Sequence, residues 1–191
     1  MPNLSLCTNL ETLQLANSGL SGNIPDWLGQ LNNLKYLNLS WNQLNGVIPA
    51  SFTNLTQLEL YYVLGNLLEG NIPSCENFSN LQWFNISSNR FDFGNIISSG
   101  VVPGSINGFW YSPQDLFGQE QNYIKTEGEF FKISAFIPGD GNQYQWFKGS
   151  DLLVGQTQDD LEFDVISLHD EGEYKCLVTN PLFPDLILES R

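Results

Sequence analysis

The chain has 191 residues, enough for two small domains or one medium one, with an ordinary 41% of hydrophobic residues. Its 21 acids against 7 bases give a net charge of −14, a field that repels phosphate backbones and anionic lipid and so argues against nucleic acid and membrane surfaces as partners. No run reaches the 18 or so apolar residues of a membrane span, and Met1-Pro2-Asn3 opens without the basic start and apolar stretch of a signal peptide.

The first half repeats itself. Leu10, Leu34, Leu58 and Leu81 open copies spaced 24, 24 and 23 residues apart. The full copies carry Gly22-x-Ile24-Pro25, Gly46-x-Ile48-Pro49 and Gly70-x-Ile72-Pro73. In each copy, apolar residues two apart ask for a short strand with one buried face. The pairs are Leu13 and Leu15, Leu37 and Leu39, Tyr61 and Val63, and Phe84 and Ile86. One such strand cannot bury its face alone, so stacked coils in a parallel sheet are expected. Asn42, Asn66 and Asn89, with Ser18 in the first copy, stand where the chain leaves the sheet. They are expected to satisfy backbone groups that the ladder leaves unpaired.

These copies resemble the leucine-rich-repeat family, in the Gly-x-Ile-Pro variant of plant receptors and bacterial surface proteins. The resemblance implies a short solenoid over residues 1–99, with a parallel sheet on one side and an irregular or 3-10 convex side. Pro2–Leu10 aligns with Pro73–Leu81, which places Cys7 and Cys75 on core positions of the convex side. Residues 100–111 read as a cap and linker, with Phe109, Trp110 and Tyr111 supplying cover for the last coil.

From residue 112 the grammar changes to alternating strands. Phe131, Ile133 and Ala135 alternate with Lys132 and Ser134, and Trp146 sits inside Tyr144–Lys148. Asp170-x-Gly172-x-Tyr174-x-Cys176 is the tyrosine-corner pattern. Residues 112–191 therefore resemble the immunoglobulin-like family, which implies a second, all-β sandwich domain. The family's first inter-sheet cysteine falls on Ala135, so that disulfide is missing. Leu186–Arg191 reads as the start of the last strand, and both ends are expected to be cuts from a longer polypeptide.

Catalytic chemistry finds little support. The single histidine, His169, and three scattered cysteines lack the spacing of a zinc site. Asp159-Asp160 and Asp170-Glu171 lack that of a calcium loop and read as solvated turn carboxylates. No enzyme and no cofactor are expected. Five Asn-x-Ser/Thr sequons, at Asn3, Asn38, Asn54, Asn77 and Asn85, are written largely by the repeat itself.

Residues between the buried leucines face the concave side. There Tyr36, Leu60 and Trp83 fall in one column with Tyr62 and Trp41 beside it. Aromatic residues so gathered are enriched at interface hot spots. The expectation is a non-catalytic recognition or adhesion module, secreted or displayed on a cell surface and of bacterial origin. It would bind a protein ligand through Tyr36, Trp41, Leu60, Tyr62 and Trp83, with no nucleic-acid partner and no direct membrane insertion. The alternatives are a carbohydrate-binding accessory module and a purely structural spacer.

Overall fold

A computed structural model describes all residues from Met1 to Arg191. The first coil runs through β1 (Thr12–Gln14), β2 (Ser21–Asn23) and a 3-10 turn at Asp26–Gln30. The second repeats this as β3 (Tyr36–Asn38), β4 (Gln43–Gly46) and a 3-10 turn at Ala50–Asn54. The third carries β5 (Leu60–Tyr62) and β6 (Leu67–Leu68), and the fourth β7 (Trp83–Asn85) and helix α1 (Phe93–Ile97). A fifth strand, β8 (Gly108–Trp110), closes the series.

Strands β1, β3, β5, β7 and β8 form one parallel sheet in that order. Its buried row is Leu13, Leu37, Tyr61, Phe84 and Phe109, each paired with the next. All but the half-buried Phe109 are enclosed by the core, as the two-residue period requires. The aromatic members stack: Tyr61 on Phe84 at 4.9 Å and Phe84 on Phe109 at 5.3 Å between ring centroids.

The return side of the coils is more regular than expected. A second parallel sheet, β2-β4-β6, precedes the 3-10 turns. These segments hold Gly, Asn and Gln, which favour strands poorly alone. Stacking at a constant spacing brings their backbones into register and pairs them. Ile24, Ile48 and Ile72 of the Gly-x-Ile-Pro segments are buried. Pro25 and Pro49 then lead into the 3-10 turns, where a missing N–H costs nothing. In the fourth coil α1 takes their place, its first turn closed by Asp92 accepting from the Asn95 backbone N–H at 2.7 Å.

The strand-exit amides form a column. Asn66 donates to the Leu39 and Val63 carbonyls and accepts from Leu44 N–H. Asn89 donates to Val63 and Ile86 and accepts from Leu68 N–H. Gln114 continues the column above it, donating to Ile86 and Tyr111 and accepting from the N–H groups of Asn89 and Phe91.

Cys75 is buried, but Cys7, expected in the core, is exposed. The backbone turn matches its counterpart: Cys7 N–H reaches Leu4 at 2.8 Å as Phe78 N–H reaches Cys75 at 2.9 Å. What Cys7 lacks is a coil packed on its outer side within these residues.

The C-terminal half has six strands: β9 (Phe131–Ser134), β10 (Gln143–Lys148), β11 (Asp151–Leu152), β12 (Asp160–Phe163), β13 (Tyr174–Thr179) and β14 (Ile187–Glu189). They form two antiparallel sheets, β11-β10-β13-β14 and β12-β9. Trp146 pairs with Cys176 and both are buried, as is Ala135 just past β9. The Trp146 indole N–H donates to Gln158 O at 2.9 Å, and the Tyr174 hydroxyl to Asp170 O at 2.6 Å. Phe117 lies parallel to the end of β14.

The two halves share one hydrophobic core of 35 buried residues. An aromatic run crosses between them: Phe109 to Tyr111 at 5.2 Å, Tyr111 to Phe183 at 5.3 Å, Phe183 to Phe93 at 6.2 Å. Gly94 N–H donates to Pro138 O at 2.9 Å across the same junction.

Candidate functional site

The outer face of the five-stranded sheet carries the expected residues, though not as one cluster. The register sets Tyr36 beside Leu60 and Leu60 beside Trp83, and carries Trp83 on to Gly108. The neighbouring column runs Gln14, Asn38, Tyr62, Asn85 and Trp110. Trp83 stacks on Trp110 at 5.9 Å with planes 17° apart, and Tyr62 meets Trp110 edge-on at 6.2 Å. Gly108 makes this possible: a Cβ there would come within 2.4 Å of Trp110 Cη2 and 2.7 Å of Trp83 Cε3. Trp83 and Trp110 remain 38% and 43% exposed. Trp110, placed by the sequence in the cap and linker, is thus the centre of the aromatic group. Its signal is the 25-residue step from Phe84 to Phe109, one longer than the full copies.

Tyr36 stands apart in a polar network. Its hydroxyl donates to Glu59 Oε2 at 2.8 Å, and Lys35 bonds Glu11 at 2.9 Å. The Glu59 bond raises the Tyr36 pKa, and the Glu11 bond raises that of Lys35. Partial burial raises the Tyr62 pKa. These hydroxyls are hydrogen-bonding groups at neutral pH, not nucleophiles.

Trp41 occupies the turn that follows β3. Asn17, Trp41, Gly65 and Ser88 take this place in successive coils, with φ of 52°, 56°, 65° and 53°. The left-handed region is uncommon for a bulky residue, and its recurrence in all four coils makes it a property of the repeat's turn. The indole lies over Gly65 of the next coil and is still 59% exposed.

The acidic pairs serve the backbone and neighbouring side chains. Asp160 bonds Lys132 at 2.7 Å, and Asp170 accepts from Ser167 N–H and Oγ at 2.8 Å each. Both carboxyls are held below the usual carboxylate range by these partners. Asn38 and Asn85, two of the sequon residues, accept from the N–H groups of Ser40 and Ser87 two residues on.

Residues 8–68 match the leucine rich repeat family model. Nothing among curated proteins matches the chain. Among solved structures, PEPR1–AtPEP1 is 42% identical over 46% of this chain and 12% of that one, with a TM-score of 0.45. The plant peptide hormone receptor RGFR1 in complex with RGF2 is 34% identical over 46% and 14%, with a TM-score of 0.43. InlP of Listeria monocytogenes is 17% identical over 96% and 66%, with a TM-score of 0.39. The chain spans about an eighth of the length of the first two. The matched residues and the stacked parallel strands agree: residues 8–68 are leucine-rich repeats, and they lie in a solenoid-like parallel stack.

Proposed function

We propose that the outer face of the five-stranded sheet is a recognition surface for a protein or peptide, and that the chain acts by binding rather than by catalysis. The observation that carries this reading is the half-exposed group Tyr62, Trp83 and Trp110, with Leu60 beside it and Trp41 nearby. Large aromatic surface left in water favours a partner that buries it. The polar network of Lys35, Tyr36, Glu11 and Glu59 supplies an orienting rim. Trp83 and Trp110 spend a ring face on each other, which suits the edge of a peptide better than a sugar ring needing an open face.

The reading extends to the second half, which we take as an immunoglobulin-like sandwich of a secreted or surface-displayed protein. Its support is the Trp146–Cys176 pair and the Tyr174 hydroxyl on Asp170 O. Ala135 stands in the core where that family has its first cysteine.

A random twelve-residue peptide library selected on the protein, run beside a glycan array, tests the proposal. Selected peptides should lose affinity on Trp83→Ala, Tyr62→Ala and Trp110→Ala by about 1–4 kcal/mol each. Unchanged affinity in all three, with folding intact, overturns it; selective glycan capture lost in the same variants favours the carbohydrate alternative.

A further inference from the structure

The sequons of the repeats are not equivalent once folded. An Asn-x-Ser/Thr sequon accepts N-linked sugar in a secreted protein where its asparagine lies at the surface. Asn54 and Asn77 fall on the convex side, in the same turn of consecutive coils. Leu55 N–H closes that turn on Phe52 O at 3.0 Å and Phe78 N–H on Cys75 O at 2.9 Å, each directly after the asparagine. Phe52, Leu55, Cys75 and Phe78 are buried and fix the turn, while Asn54 and Asn77 are both exposed. The side-chain bonds of these turns are made by Ser51, Thr53, Ser74 and Cys75, which leaves both amides free.

Asn38 and Asn85 lie instead within strands of the parallel sheet, half-buried, in the column Gln14, Asn38, Tyr62, Asn85 and Trp110. Two ladder steps separate the Tyr62 and Trp110 backbones by about 10 Å. Their rings close to 6.2 Å, over the Asn85 strand that runs between them. A sugar on Asn85 would have to part those rings, and one on Asn38 would lie against Tyr62. The hydroxyl residues of these two sequons, Ser40 and Ser87, are buried, whereas Thr56 is half-buried and Ser79 exposed. Asn3 belongs to neither group; it sits outside the shared turn and accepts from Ser5 N–H at 2.9 Å.

We propose, resting on the secreted reading above and not on the recognition face, that Asn54 and Asn77 carry N-linked oligosaccharide while Asn38 and Asn85 stay bare. In the transfer the asparagine Nδ2 attacks C1 of a sugar held on a lipid diphosphate. The C1–N bond forms, the C1–O bond to phosphate breaks, and the diphosphate leaves with the electron pair. Nδ2 gives up one of its two protons to base and keeps the other, so the linked amide still donates and accepts in water. No bond within the protein is lost, because neither amide makes one. The two sugars stand one coil apart, with the repeat core between them and the group of Tyr62, Trp83 and Trp110. They cover the back of the solenoid and leave its sheet face open to a partner.

The test secretes the full chain from insect cells behind a cleavable signal. Peptide mapping after amidase release in heavy-oxygen water should mark Asn54 and Asn77 and leave Asn38 and Asn85 unmarked. Asn54→Gln and Asn77→Gln should each remove one step of gel mobility, and the double variant both. Thr56→Ala should act as Asn54→Gln does, whereas Thr56→Ser should keep the sugar. The double variant should melt with the enzymatically stripped parent chain, since the amides hold nothing in place. The signal enforces secretion, so bare Asn54 and Asn77 in the medium overturn the proposal and leave the secreted reading standing. Sugar on Asn38 or Asn85 of the folded, secreted chain overturns it as well.

Discussion

Gln114 stands on Asn89 as Asn89 stands on Asn66: each side-chain amide spans two coils and closes the backbone that its predecessor leaves open. The longer side chain of Gln114 reaches the same job from a coil one residue longer. Gln114→Ala should leave the Tyr111 carbonyl and the Asn89 and Phe91 N–H groups without partners, costing about 1–3 kcal/mol. The midpoint of urea unfolding measures this; a change under half a kcal/mol would mean water substitutes for the amide.

The three thiols should separate by reactivity. Burial pushes the Cys75 thiol up to about 12 and the Cys176 thiol up to about 11, while Cys7 is exposed. A disulfide exchange reagent at pH 8 should titrate one thiol fast in the native protein and three after denaturation without reductant. Because both buried thiols lie above their ordinary value of 9.0, their neutral forms stabilise the fold below that pH. This contribution is lost as pH rises from about 9 toward 11–12. A melting temperature that falls less across that range in Cys75→Ala than in the parent chain, and less again when Cys176→Ala is added, would assign the loss.

Two faces of the same strands should respond oppositely. Leu37→Ala and Leu39→Ala remove fully buried side chains and should cost about 2–5 kcal/mol each. Trp41→Ala and Trp83→Ala, half in water, should cost about 1 kcal/mol or less while weakening ligand capture. Thermal unfolding of the four variants side by side decides it: aromatic variants that melt like the leucine variants mark those rings as core.

Gly108→Ala probes the aromatic group from beneath. The added methyl would drive into both indoles, and such overpacking costs about 1–3 kcal/mol. Indole fluorescence should shift toward that of exposed tryptophan even where the fold survives. An unshifted spectrum would show that the two rings move together without parting.

Ala135→Cys should form a disulfide with Cys176, since both sit in the same core on opposing sheets. A native disulfide at such a place is worth about 2–5 kcal/mol. Mass spectrometry before and after reduction reads the bond, and a variant that stays reduced in air would show that the two Cβ atoms point apart.

The buried row of the repeats was legible because Leu13, Leu37, Tyr61 and Phe84 keep both the period of two and the 23- or 24-residue step. Trp110 and Gln114 were not, because α1 replaces the Gly-x-Ile-Pro segment before them and the step lengthens. The second parallel sheet was also hidden. Ser21–Asn23 and Gln43–Gly46 carry turn-like residues, and only stacking pairs them. Cys7 was placed in the core by an alignment that is right for its backbone and silent about what packs outside it. In the second half, the tyrosine corner was read from Asp170, Gly172, Tyr174 and Cys176, and the hydrogen bond it implies is present.

The aromatic run from Phe84 through Phe109, Tyr111 and Phe183 to Phe93 removes any joint between the halves. Bending the sandwich against the repeat strands would have to part these ring contacts. The outer face of the repeat sheet and the two sheets of the second half are therefore held in one packed unit.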